Sequence, residues 1–429
     1  MEQRNILDII GVGVGPFNLG LAALLEKTEC TYMCFEQKPQ FNWHPGMLLE
    51  GTTLQVPFMA DMVTMVDPTS PYSFLNYLHE NKRLYQFYFF EKFQIPRNEY
   101  NHYCQWVANR LRGLKFSSEV TNITLHTEED TYYEVTVQHE ESVKTYYSRH
   151  IVMGIGTKPI FPKDFQSMYS DQLYHSAHYK MKREQTLKAK SITVVGSGQS
   201  AAEIVYDLLQ QQDDQKYELS WYTRSKGFYP MEYSKLGLEH FSPDYTRYFY
   251  HLEPKKKQQV LQNQALLYKG ISVNTISDIY ELLYERTIGG EKTPIKIQAL
   301  TELSNIEQQE DSQRLTLYQY EQGVYQQTVS DVVILATGYQ SSLPSFLEGM
   351  KQYVKFDDQG QLEIDEQYKV KTTVDGASLF IQNGELHTHG VGAPDLGLGA
   401  YRNAAIINQI AGKEVYKLYR RNIFQQFGF

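Results

Sequence analysis

Gly11-Val-Gly13-Val-Gly15-Pro16 lies between an apolar run at 7–12 and a segment of helical composition that begins near Phe17. Glycines at that spacing permit a tight turn and let backbone N–H groups approach a pyrophosphate at a helix N-terminus. Pro16 stands where a third glycine is usual, and proline is tolerated in a first helical turn. Glu36 closes the next apolar run, 31–35, where an acid takes the hydroxyls of a ribose. The chain then repeats itself: a strand over 191–195, the turn Gly196-Ser-Gly198-Gln199-Ser200-Ala201, a helix over 199–209 and a strand over 217–222. The second unit ends differently from the first, for Thr223-Arg224-Ser225-Lys226 holds two bases and no acid. An acid binds a free 2′-hydroxyl, whereas arginine accommodates a 2′-phosphate. The first turn therefore reads as an FAD site. The second reads as an NADPH site with Arg224 and Ser225 at the phosphate.

The sulfur inventory narrows the flavin chemistry. Cys30, Cys34 and Cys104 are the three cysteines. Cys30 and Cys34 are four apart in or beside a predicted strand, and Cys104 stands alone, so no dithiol is expected beside the flavin. Electrons from NADPH are then expected to pass to oxygen. His102, His387 and His389 have no carboxylate or thiol at metal spacing, and no metal is expected.

The elements that must position these turns obey the same repetition. Residues 115–152 alternate like a hairpin or meander, and a helix is predicted over 100–111. A mainly helical, tyrosine-rich segment spans 233–289, a second meander comes next, and an apolar run at 332–335 leads into Ala336-Thr337-Gly338. The tail, 380–412, holds a strand, a His/Gly loop and a helix from about Leu398. The expected fold is α/β, with two Rossmann-like dinucleotide-binding domains and a smaller helical segment. The expected boundaries are 1–165 with 331–429 for FAD, 166–232 with 290–330 for NADPH, and 233–289 for substrate. With 429 residues, 41 basic and 50 acidic, the net charge is −9, which argues against nucleic acid as a partner. The uncharged stretch 9–25 imitates a signal core, but Asp8 precedes it and its glycines break it. No stretch reaches about 18 apolar residues, so no membrane span is expected, and three cysteines suit a reducing cytoplasm. Most of the 34 tyrosines are expected in the core or a subunit interface.

Further motifs resemble the microbial N-hydroxylating flavin monooxygenases, the lysine, ornithine and diamine enzymes of siderophore biosynthesis. They are Trp43-His44-Pro-Gly-Met47, Leu54-Gln55-Val-Pro57-Phe58 and Asp67-Pro-Thr-Ser-Pro-Tyr-Ser-Phe74, with Ala336-Thr337-Gly338-Tyr339 and the tail from His387 to Asn403. The resemblance spans essentially the whole chain. It implies that Lys38, Trp43, His44, Met47, Gln55, Tyr339, Leu396 and Gly397 join the two turns and Ala336–Gly338 in holding cofactors. It also implies that NADPH reduces FAD, that O2 adds to give a flavin hydroperoxide, and that no side chain acts as a catalytic nucleophile. A homo-oligomer, dimer or tetramer, is implied as well.

Two departures bear on the substrate. Ornithine enzymes of this kind carry a Lys where Ala60 stands, and an Asn at a place matching Leu238; both groups hold the amino acid. Gly397 stands where lysine enzymes tend to a Ser. The resemblance therefore points to putrescine or cadaverine, with lysine or histamine as alternatives and with Asp395 or Glu239 as candidate partners of the distal ammonium. Two remoter readings stay open, a general flavin monooxygenase or NADPH oxidase and a non-catalytic dinucleotide sensor. Asp171 replaces the upstream glycine of the wider flavin monooxygenase linker around His175-Ser176, which counts against the first.

Overall fold

Strands buried on both faces read as unbroken apolar runs, and two groups of them organise the chain. The computed structural model describes residues 5–212, 215–292 and 294–429. In the first sheet, Ile6–Val12 pairs in parallel with Tyr32–Phe35 on one side and with the second half of Ser142–Met153 on the other. Leu114–Lys115 lies beyond Tyr32–Phe35, and Ser378–Ile381 adds beside Ser142–Met153. The long strand changes partners along its length. Residues 142–148 run antiparallel to Tyr132–His139, which pairs in turn with Ser118–His126. The predicted meander is thus an arm of the first sheet.

Alternate side chains of these strands serve two cores. Ile9 and Val152 face the helices Pro16–Leu25, Arg97–Ala108 and Gly399–Ala411, while Ile10 and Ile151 pack with Val135 and Val137 of the arm and with Leu379 of the last strand. The second sheet is wholly parallel, in the order Ile295–Gln298, Glu218–Tyr222, Ser191–Val195, Val332–Leu335, Leu173–His175. An antiparallel meander, Thr301–Gln308, Gln313–Gln319 and Val324–Ser330, precedes its fourth strand.

Pairing and packing move two of the expected boundaries. Val332–Leu335, expected in the first domain from 331 onward, lies between two strands of the second sheet, so the return crossing comes after it. Helix Val273–Arg286, expected in the helical substrate segment, packs Ile276, Ile279, Leu282 and Leu283 into the second core beside Ile204 and Leu208. What remains of that segment is Lys235–Leu238, Pro243–Tyr250 and Pro254–Asn263. Its Tyr245 and Phe249 pack on Val391 and Phe427 of the tail. Among the described residues no helix is long and apolar enough to cross a membrane.

Candidate functional site

A cavity of about 2670 Å3 is lined by residues of both sheet units and of the helical segment. That is well above the roughly 300–1,000 Å3 of an ordinary small-molecule pocket. It has room for more than one extended ligand.

The first turn enters this cavity with Gly13, Val14, Gly15 and Pro16. Gly13 has φ +84°, and a Cβ there would stand 2.7 Å from the Gly154 carbonyl oxygen. Only glycine fits. Gly15 is the N-cap of Pro16–Leu25 and Pro16 begins the helix, which has no side-chain cap, so its first N–H groups are free for an anion. Gly11 has another role: it sits in the strand, where a Cβ would meet Cys34 Sγ at 2.5 Å, and it is absent from the cavity wall. Counted from the helix start, Gly13 and Gly15 correspond to Gly196 and Gly198. The third place is then Asn18, which corrects the reading that put Pro16 there. The fully buried Asn18 amide donates to the carbonyls of Val12, Gly13 and Val152 and accepts from Gln382 Nε2 at 2.8 Å. Sequence reasoning missed this clamp, although a lone polar residue in the apolar run Pro16–Leu25 was its signal.

Glu36 lies on the cavity wall at the end of the second strand, where it accepts from Val14 N at 2.9 Å and Lys38 N at 3.0 Å. Two bonds leave lone pairs on the carboxylate for a ribose. Lys38, Trp43, His44, Met47 and Gln55 line the same space. Gln55 Nε2 is buried without a hydrogen-bond partner, a group that needs an acceptor from whatever fills the cavity. Trp43 N donates to Asn101 Oδ1, and the His44 ring stands edge-on to both Trp43 and Tyr339. Enclosure, with Arg97 and Lys38 nearby, pushes the His44 imidazole down to about 4, so it is neutral near pH 7. The cradle at Gly13, the uncapped helix and the unpaired Gln55 amide together suit a dinucleotide such as FAD.

In the second turn, Gly196 has φ +143° and lies so close to Ala336 that a Cβ would stand 2.4 Å from its carbonyl oxygen. Gly198 caps Gln199–Gln211, and Gln199 and Ser200 line the cavity. Gln199 accepts from Ser272 N and donates to Glu203 and Thr275. Glu203 is held bidentately by Arg97 at 2.7 and 2.8 Å, and that buried pair joins the two units. Arg97 also lines the cavity, and sequence reasoning did not single it out. Ser225 Oγ lies 2.8 Å from Ser197 Oγ, which seats 223–226 against the turn with Arg224 exposed beside it. Arg224 and Ser225 are thus not on the cavity wall.

Like Gly11, Arg224 and Ser225, the expected cofactor residues Gly196, Gly198, Ala336, Thr337 and Gly338 do not line the cavity. Ala336 packs against Gly196, Thr337 Oγ1 donates to the Ile160 carbonyl, and the Gly338 carbonyl accepts from Ile160 N and His175 Nε2. They hold the crossing between the units, and Tyr339 alone of that run reaches the wall. Burial pushes Cys34 up to about 12 and raises the Cys104 thiol also, so both stay protonated. Among the described residues no group of three or more His, Cys, Asp or Glu could hold a metal ion.

Ala60, Leu238, Asp395, Leu396 and Gly397 also line the cavity, and Ala60 and Leu396 share a small pocket with Pro16 and Phe17. Ala60 is buried, and the next residue, Asp61, fixes the loop by accepting from the N–H groups of Val63, Thr64 and Phe74. Glu239 is a correction. Its carboxylate accepts from Phe424 N, Gln425 N and Gln425 Nε2, which ties it to the tail and away from the cavity.

Comparison with known proteins matches residues 5–341 to the family described as L-lysine 6-monooxygenase/L-ornithine 5-monooxygenase. The chain is 44% identical to a putrescine N-hydroxylase of Shewanella oneidensis over 99% of its own length and 85% of the relative's. It superposes on the FAD-bound cadaverine monooxygenase of desferrioxamine biosynthesis from Erwinia amylovora with a TM-score of 0.95, at 40% identity and 99% coverage of both chains. An ornithine N-hydroxylase from Kutzneria, bound to reduced FAD, NADP+ and ornithine, gives a TM-score of 0.90 at 27% identity, over 95% of this chain and 99% of that one.

Proposed function

This chain belongs to the lysine and ornithine N-monooxygenase family and is an FAD- and NADPH-dependent N-monooxygenase; from that premise we propose that its substrate is an aliphatic diamine, putrescine or cadaverine. The observation that carries this reading is the pair Ala60 and Leu238 on the cavity wall, where ornithine enzymes place a cation and an amide. An amino acid carboxylate bound there would be desolvated without a partner, which costs several kcal/mol. A diamine has no carboxylate to satisfy. The product is the N-hydroxyamine required for a hydroxamate siderophore.

Gly13, Gly15, Pro16 and Glu36 would hold FAD, with Trp43, His44 and Gln55 along it, and Gly196, Gly198, Gln199, Ser200 and Arg224 would hold NADPH. When bound, the flavin supplies reduced oxygen for transfer to a nucleophilic nitrogen. The chain's own work is to place that nitrogen, free of its proton, beside the flavin. A free amine titrates near ~10.4, and desolvation lowers it. Met59, Ala60, Leu238 and Leu396 give the cavity a stretch of apolar wall that would do so. Neutral His44 offers no positive charge to oppose the amine and no proton for it to take. Cytoplasmic residence and homo-oligomerisation, dimer or tetramer, belong to the same proposal.

A hydroxylamine assay across putrescine, cadaverine, diaminopropane, histamine, lysine and ornithine tests the reading. Putrescine or cadaverine should give the highest kcat/KM. Faster hydroxylation of lysine or ornithine than of every diamine would overturn the substrate assignment and leave the flavin chemistry standing.

A further inference from the structure

We propose that the Asp395 carboxylate anchors the remote ammonium of the substrate and thereby sets the preference for diamines. The inference rests on the diamine reading above and assigns the residue that enforces it.

Three residues make one patch of wall. A Cβ built on Gly397 would stand 2.9 Å from Asp395 Oδ1 and 3.7 Å from the Ala60 Cβ. Asp395 Oδ1 thus lies so close to Gly397 that a methyl there would clash, and Ala60, Asp395 and Gly397 all line the cavity. An alkylammonium end would reach the carboxylate from the cavity side. Its charge would meet Asp395 while its methylenes lie against Ala60 and Leu396.

What distinguishes Asp395 among the acids on the cavity wall is its place beside Gly397 and Ala60, for several of the others are engaged or solvent-exposed. Glu36 accepts from Val14 N and Lys38 N, and Glu363 pairs with Lys371 at 3.0 Å. Asp357 accepts from Gln359 N and Gln361 N, and Glu232 from Ser234 N. Glu119, Glu253 and Asp358 are solvent-exposed. Asp395 is half-buried at the start of the short turn Leu396–Leu398, where backbone hydrogen bonds from Gly397 and Leu398 favour its charge and, as at Glu36, leave lone pairs on the carboxylate. The Arg402 guanidinium is directed to Glu385 at 3.0 Å and to the carbonyls of Gly392 and Ala393, and its charge is the smallest of the influences on Asp395. Burial pushes the Asp395 carboxyl up to about 6, so it is still mainly ionised at pH 7.

The same carboxylate excludes competitors. The α-carboxylate of ornithine or lysine, placed against this wall, would face Asp395 with no cation at position 60 to screen it. Specificity then comes from repulsion as well as attraction.

The test compares wild type with Asp395→Asn on putrescine, cadaverine, n-butylamine, n-pentylamine and ornithine, with FAD content measured alongside. Wild type should prefer each diamine to the monoamine of equal length. Asp395→Asn should lose kcat/KM for the diamines by roughly 10- to 150-fold, the range of a lost charge-assisted hydrogen bond, chiefly through KM. Monoamine turnover and FAD content should stay within about threefold, so the diamine preference collapses. An unchanged preference in the variant would overturn the anchor while the diamine reading stands. Wild type turning over ornithine and no diamine would overturn the diamine reading itself. Should Asp395→Asn fail to retain FAD, Gly397→Ala places a methyl between Asp395 and Ala60, and its KM for diamines must rise. An unchanged KM there overturns the anchor equally.

Discussion

The two glycine turns are built on one plan and secured in opposite ways. Each has a glycine of positive φ two residues before an N-cap glycine. In the first, the third place is Asn18, whose amide binds carbonyls at the ends of two strands and meets Gln382 beyond a third. The helix it belongs to is buried almost throughout. In the second, the third place is the buried Ala201, which makes no polar contact, and the helix is fixed instead through Gln199 and Glu203 to Ser272, Thr275 and Arg97. One turn is sealed into its own sheet, and the other is steadied from across a boundary between units. That difference suits a resident dinucleotide in the first and an exchanging one in the second.

Changing one glycine in each turn should separate them most sharply. Gly13→Ala forces an L-residue to φ +84° and drives its methyl into the Gly154 carbonyl, a strain of about 1–3 kcal/mol before the contact is counted. Flavin absorbance of the purified protein should fall to a small fraction of wild type. Gly198→Ala has ordinary φ and meets Lys269 O only at 3.9 Å, so flavin content should be unchanged and only NADPH affinity should suffer. Full flavin occupancy in Gly13→Ala would remove the contrast.

The acid after one turn and the base after the other give a second, smaller test. Arg224→Ala should raise KM for NADPH by roughly 10- to 150-fold, leave KM for NADH nearly unchanged and spare flavin binding. Equal losses for both nucleotides would pass the 2′-phosphate to Lys226.

Acid stability gives the smallest difference and should treat both units alike. His175 lies in the second sheet, and its Nδ1 accepts from Ala177 N while Nε2 donates to Gly338 O, so the neutral ring is fully used. His389 stacks on Tyr368 at 4.4 Å in the first unit. Burial lowers them to about 4 and about 3. Between those values and the unfolded value near ~6.5, the unfolded chain binds more protons, so stability is complete above about pH 6.5 and is lost as pH falls towards 4. Each ring should account for roughly 1 kcal/mol between pH 6.5 and 5.5. His175→Gln and His389→Gln should each flatten the fall of Tm with acidification over that interval, and an unaltered slope in either would remove its histidine from the balance.

Local order was legible because it is written locally. The strands Ser191–Val195 and Val332–Leu335 coincide with their apolar runs, and the glycines mark both helix starts. Partner choice was not. Val332–Leu335 went to the wrong unit because periodicity says that a run is buried and not beside which strand. Glu239 looked available because its partners, Phe424 and Gln425, are at the far end of the chain. Arg97 is one arginine in a polar stretch until Glu203 is seen beneath it. Pro16 drew the eye from Asn18 because a missing glycine is conspicuous and a buried amide is not.

Asn18 and Gln382 are 364 positions apart. A ribosome adding about 5–20 residues per second needs roughly 20–70 s to go from one to the other. For that interval the nascent chain carries an apolar helix and a sheet lacking Ser378–Ile381, the strand beside Ser142–Met153. The earliest turn to be translated is thus among the last to be finished. Completion of that turn waits on the end of synthesis, and a chain broken off before Gln382 is a candidate for aggregation rather than a partly active enzyme.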